Sequence, residues 1–147
     1  MKFSIKSLLL LLLMAAVSVS ACKKDDEESA EDKLTAVSCW KQTKNETFNP
    51  VTSIWENEPI DACTQDDCTK FNADKTLSFD EGATKCDPTD PQTGTGTWTL
   101  SADGKMLTIS DNASGIAFIG TITELTSNKL VLEIDIAGFK SRITWSN

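Results

Sequence analysis

The sequence predicts an all-β fold, an antiparallel sandwich or barrel, and three observations carry that prediction. Apolar residues alternate with polar ones at period two through the C-terminal half. Turn-forming clusters recur at roughly ten-residue spacing. No helical stripe is visible beyond residue 34. Period-two alternation marks a strand with one buried face, and short strands punctuated at regular intervals mark sandwiches and barrels.

The elements follow in order. Strands are expected over 37–44, where Trp40 faces inward, and over 51–57, which carries Trp55 and stops at Glu56-Asn57-Glu58-Pro59. The next strand, 67–73, turns Phe71 inward and ends at Asn72-Ala73-Asp74-Lys75. Leu77 and Phe79 share a face on 76–81. Asp87-Pro88-Thr89-Asp90-Pro91-Gln92 cannot lie in a central strand, because its two prolines lack donors. Trp98 and Leu100 share a face on 95–101, and Ser101-Ala102-Asp103-Gly104 reads as a hairpin loop with glycine available for positive φ. Leu107 and Ile109 follow on 106–110, then the longer loop Asp111-Asn112-Ala113-Ser114-Gly115 and a strand over 116–124. On 129–136, Leu130, Leu132, Ile134 and Ile136 alternate with Val131, Glu133 and Asp135. On 139–145, Phe139, Ser141, Ile143 and Trp145 alternate with Lys140, Arg142 and Thr144. Eight or nine such strands let a sheet close and remove its edges.

The N-terminus carries a different pattern. Lys2 and Lys6 precede an unbroken apolar run over 8–17, followed by small residues over 18–21. A positive start, a short apolar centre and a small-residue end are the parts of a secretory signal peptide. The run is about half the ~20 residues a membrane span requires. Val19-Ser20-Ala21-Cys22 resembles the bacterial lipobox, which implies cleavage after residue 21 and acylation of Cys22 with palmitate-type chains. Each buried methylene contributes about 0.8 kcal/mol, so two or three chains anchor a protein almost permanently. Lys23-Lys24-Asp25-Asp26-Glu27-Glu28 has no apolar residue and reads as a solvated tether. With Cys22 it resembles the surface-export signal of Bacteroidota lipoproteins. The expected organisation is a signal peptide over 1–21, a lipidated acidic tether over 22–33 and a folded domain over 34–147. The expected address is the outer membrane, on the cell surface, with the periplasmic leaflet as the alternative.

Composition removes several function classes. Taking away Lys2 and Lys6 with the signal segment leaves 12 basic and 22 acidic residues, net −10, a surface that repels nucleic acid. The chain has no histidine, which excludes Ser-His-Asp and Cys-His nucleophile systems and histidine metal sites. The cysteine spacing does not suit tetrathiolate zinc, and the acids lack a calcium-loop pattern. No cofactor and no enzyme activity are expected. A carboxylate-driven hydrolase is the weakest of three readings. Setting Cys22 aside, Cys39, Cys63, Cys68 and Cys86 form an even set that reads as two disulfides, with three pairings open.

Ala36-Val37-Ser38-Cys39-Trp40-Lys41 resembles the opening strand of the lipocalin-like domains of Bacteroidota lipoproteins. The stretch from Cys63 to Trp98 resembles their middle section: cysteine, acidic pair, aromatic strand, hairpin, glycine, cysteine, then Gly96-Thr97-Trp98. The resemblance spans roughly residues 34–145, with Ser38 standing where the family usually has glycine. It implies an antiparallel up-and-down barrel of about eight strands. It also implies a Cys63–Cys86 bridge, leaving Cys39 and Cys68 as an added pair. Trp40, Trp98 and Phe71 are expected in the core. Trp55, Trp145, Phe118 and Phe139 are the candidates for lining an apolar pocket at the barrel mouth. Arg142, the only arginine, is out of phase with Ile143 and Trp145 and is expected in an exposed ion pair. The resulting expectation is a lipid-anchored module binding a small apolar molecule. A structural or protein-interaction lipoprotein with a filled core is the alternative, and oligomeric state is not legible.

Overall fold

The structure, a computed structural model, describes residues 28–147. The signal segment, Cys22 and the Lys-Lys-Asp-Asp-Glu run up to residue 27 lie outside the described residues.

Helix α1 (Ala30–Ala36) opens the fold. It starts four residues inside the expected tether, and it displaces the first strand from 37–44 to Lys41–Asn49. Ser29 is its N-cap. The Ser29 hydroxyl accepts from the Asp32 amide at 3.1 Å, and the Asp32 carboxylate accepts from the Ser29 amide at 3.3 Å. Two otherwise unpaired donors are satisfied reciprocally, and Glu31 and Asp32 favour the positive end of the helix dipole. Seven residues are too few for apolar periodicity to register, so the acids read as tether. The helix nevertheless seats Leu34, which is fully buried, and its Leu34 carbonyl accepts from Trp40 Nε1 at 3.1 Å.

Nine strands follow: β1 (Lys41–Asn49), β2 (Ile54–Glu58), β3 (Cys68–Phe71), β4 (Thr76–Asp80), β5 (Thr93–Leu100), β6 (Met106–Asp111), β7 (Ala117–Leu125), β8 (Lys129–Ile136) and β9 (Phe139–Ser146). They form one antiparallel sheet in the order β2-β1-β9-β8-β7-β6-β5-β4-β3. From β3 to β9 each strand pairs with the next, and β9 pairs with β1, so the chain runs up and down as expected.

Closure is where the sheet departs from an ideal barrel. Its two ends meet at a single residue pair, Trp40 and Thr69, joined by main-chain hydrogen bonds of 2.8 and 2.9 Å. The cause is local. β3 is only four residues long, β1 bulges between Gln42 and Lys44, and from Asn45 onward the free edge of β1 is taken by β2. Eight strands thus curl around the core while β2 lies outside as an extension of the β1 hairpin. The Cys39–Cys68 disulfide, with Cα atoms 5.2 Å apart, lies beside this seam.

One end of the curl is filled. Leu34, Val37, Trp40, Leu130 and Leu132 pack there with Trp98 and Leu107. α1 covers that end: Glu31 pairs with Lys75 in the β3–β4 turn, and Ala30 lies against Gly104 in the β5–β6 turn. Among the described residues no helix is long and apolar enough to cross a membrane.

Candidate functional site

The opposite end is hollow, and the inward face of β5 explains why. That face reads Gly94, Gly96, Trp98, Leu100. The last two are large and fill the closed end; Gly94 lines the mouth, and Gly96 is buried beneath Phe79. Phe79 lies along the bare backbone, since a Cβ on Gly94 would stand 3.5 Å from Phe79 Cδ2. Gly96 is required by close approach: a Cβ there would fall 2.3 Å from the Ser110 carbonyl oxygen.

The space is a cavity of about 650 Å³, within the range that holds small molecules. Phe71, Phe79, Ile109, Phe118 and Trp145 line it. Phe71 is 2 % exposed and belongs to the core, whereas Phe79, Phe118 and Trp145 are half-buried, with surface left for a ligand. The rim is polar: Glu81, Asp90, Asp111 and Ser114, with Pro91 and Ala113 between them.

Two loops shape the rim, and each is held by its own hydrogen bonds. The β4–β5 loop is gathered at its base, where Gln92 donates to the Asp80 carboxylate at 3.0 Å and the Gly82 carbonyl at 2.8 Å. Asp66 reaches across from the preceding segment and accepts the Ala83 and Thr84 amides at 2.6 and 3.1 Å. Gly82 passes beneath it at φ +66°, where a Cβ would stand 2.5 Å from Asp66 Cγ, so both conformation and space require glycine. The Cys63–Cys86 disulfide joins the same two segments. In the β6–β7 loop, Asp111 accepts from the Ser114 hydroxyl at 2.7 Å and the Ala113 amide at 2.9 Å. Those bonds hold the Asp111 carboxyl below its ordinary pKa, the Ser114 hydroxyl contributing most. The Gln92 amide, then the Gly82 amide, do the same for Asp80. Asp67 is shifted the other way, raised first by burial and then by the charges of Glu81, Asp66 and Asp80.

Of the four aromatic candidates, the structure brings Trp145 and Phe118 to the cavity and leaves Trp55 and Phe139 away from it. Trp55 sits opposite Phe48 in the β1–β2 register, on the face that carries Glu46, Arg142 and Glu133. There its ring lies 5.3 Å from Phe48 and 4.0 Å from the Arg142 guanidinium. Arg142 makes its ion pair, donating to Glu133 at 2.9 and 2.6 Å, but beneath Trp55 rather than in open solvent. Phe139 is 81 % exposed at the tip of the β8–β9 hairpin, beyond the enclosed part of the sheet. The feature that sequence reasoning missed is the pair Gly94 and Gly96. In the phase of Trp98, Gly94 marks where the strand borders the hollow, and Gly96 marks where it passes close to Ser110.

Among the described residues no three or more histidine, cysteine or acidic side chains gather as a metal site. Two disulfides are present, Cys39–Cys68 and Cys63–Cys86.

No curated protein and no solved structure matches the chain. The family comparison is positive: residues 33–132 match the lipocalin-like domain. The match runs from Lys33 in the middle of α1 to Leu132 of β8 and includes Phe71, Phe79, Gly94, Ile109 and Phe118 of the cavity. An antiparallel sheet curled around an aromatic hollow and a match over two thirds of the sequence agree, and the chain belongs to the lipocalin-like domain family.

Proposed function

We propose that this protein is a lipid-anchored lipoprotein of the Bacteroidota outer membrane, facing the cell exterior, whose barrel mouth binds a small apolar molecule. The observation that carries the binding half is the aromatic cavity of about 650 Å³, walled by Phe79, Phe118 and Trp145 and lined on β5 by Gly94. An apolar body placed there removes surface from water, at about 25 cal/mol per Å². The anchoring half rests on Val19-Ser20-Ala21-Cys22 and the charged run behind it.

The two halves have separate tests. Gly94→Val places two methyl groups in the cavity at a position where its Cβ meets Phe79 at ordinary contact distance. The variant is expected to fold normally and to lose binding of an apolar fluorescent probe at least tenfold, read by probe titration. Unchanged binding places the probe elsewhere and sinks the cavity reading. Anchoring is read by metabolic labelling with an alkyne-tagged palmitate. The wild-type chain is expected to take up label and Cys22→Ser to take up none; label on Cys22→Ser defeats the lipobox reading. Protease shaving of intact cells should degrade the domain, and its survival would place it on the periplasmic leaflet.

A further inference from the structure

The chemistry of the rim narrows the ligand, an inference that rests on the cavity reading above. The residues lining the cavity include Glu81, Asp90 and Asp111 and no lysine or arginine. Among the described residues, none of these three carboxylates takes part in an ion pair. Lys85, in the same loop, donates its ammonium to the main-chain carbonyl of Asp90 rather than to the carboxylate. Behind Glu81 lie more acids: Asp66 and Asp80, whose carboxylates accept hydrogen bonds from the loop, and Asp67. Asp66 Oδ1 and Asp67 Oδ1 are buried and accept no hydrogen bond. Asp67 is raised first by burial and then by the charges of Glu81, Asp66 and Asp80, so acids face one another on that side of the mouth. Below the rim the walls are Phe79, Phe118 and Trp145, whose ring faces attract cations as well as apolar groups.

We propose that the cavity takes an apolar molecule bearing a cationic group, a long-chain or aromatic amine, with its apolar body against Phe79, Phe118 and Trp145 and its cation among Glu81, Asp90 and Asp111. The apolar walls supply affinity and the rim supplies sign. A fatty acid of the same length fits the walls equally well but brings its carboxylate to three others. A neutral alcohol gains from the walls alone.

Three probes of equal chain length separate these contributions: dodecylamine, dodecanol and dodecanoic acid, titrated calorimetrically into the mature full-length chain carrying Cys22→Ser with both disulfides formed. Dodecylamine is expected to bind about tenfold more tightly than dodecanol at low salt, and dodecanoate more weakly than either. The amine's advantage is expected to shrink as salt screens the rim, and to vanish in the double variant Glu81→Gln/Asp90→Asn while dodecanol binding stays unchanged. Equal binding of amine and alcohol, or tightest binding of dodecanoate, overturns the cationic-ligand proposal and leaves the cavity reading intact. Failure of all three to bind overturns both.

Discussion

Replacing Trp98 with alanine is expected to destabilise the fold by about 3–5 kcal/mol, the range for truncating a large buried aromatic. Trp98 is 1 % exposed at the centre of β5 and is one of the largest fully buried side chains. Its ring meets Phe71 edge-on, with centroids 5.6 Å apart and planes at 85°, an arrangement that adds about 0.5–1.5 kcal/mol beyond area burial. Lys75 Nζ lies 4.1 Å from the ring centroid, and Trp98 Nε1 donates to the Asn72 carbonyl at 3.0 Å. Alanine therefore opens a cavity, breaks the aromatic pair and takes one of two donors from the Asn72 carbonyl, which keeps the Lys75 amide at 3.0 Å. Trp98→Phe separates these effects: it keeps most of the volume and loses the hydrogen bond, with an expected cost of about 1–3 kcal/mol. Urea denaturation with both disulfides intact reads the two values. Equal costs for the two variants, or less than about 1 kcal/mol for alanine, would show that the ring is not central to the core.

The position of Trp98 was legible in the sequence, and the reason it was legible explains what was not. Period-two alternation reports the phase of a strand, so Trp98, Leu107, Ile109, Leu130 and Leu132 read as inward and are inward. β8 and β9 begin at the residues the pattern marks, Lys129 and Phe139. Phase does not report depth. Phe139 and Ile136 sit opposite one another in the β8–β9 register, in the phase of Leu132, yet they are 81 % and 64 % exposed because the hairpin outruns the enclosed region. Nor does phase report which face is buried on a single-strand extension such as β2, where Trp55 covers Arg142 instead of lining the barrel. Short capped segments are also poorly read. Ser29 and Asp32 cap α1 but read as tether in the sequence, and Leu34 alone could not mark a buried helix face. The seam is the least legible feature, because a bridge between residues 40 and 69 leaves no local trace. The hollow was legible in principle at Gly94, where the absence of a side chain in the phase of Trp98 carries the information.

Removing the seam disulfide by the double substitution Cys39→Ala/Cys68→Ala is expected to cost about 2–4 kcal/mol. The chain-entropy estimate alone would not single it out. The sequence separations of the two bridges are 29 and 23, and loop-closure entropy depends only logarithmically on length, so both give about 3.5 kcal/mol. Location distinguishes them. Cys39 and Cys68 immediately precede Trp40 and Thr69, the one pair whose main-chain hydrogen bonds join the two ends of the sheet. Without the disulfide, that single bridge must hold β1 against β3 unaided, and the Trp40 and Thr69 amides can open without global unfolding. Cys63–Cys86 ties the segment before β3 to the β4–β5 loop of the cavity rim, so its loss should act on that loop. Hydrogen exchange followed by NMR is expected to show lost protection at the Trp40 and Thr69 amides in the first variant. Cys63→Ala/Cys86→Ala should keep that protection and weaken apolar-probe binding instead. Unchanged protection at both amides after removal of Cys39–Cys68 would show that the packing of Leu34, Trp40 and Phe71, rather than the disulfide, keeps the sheet curled.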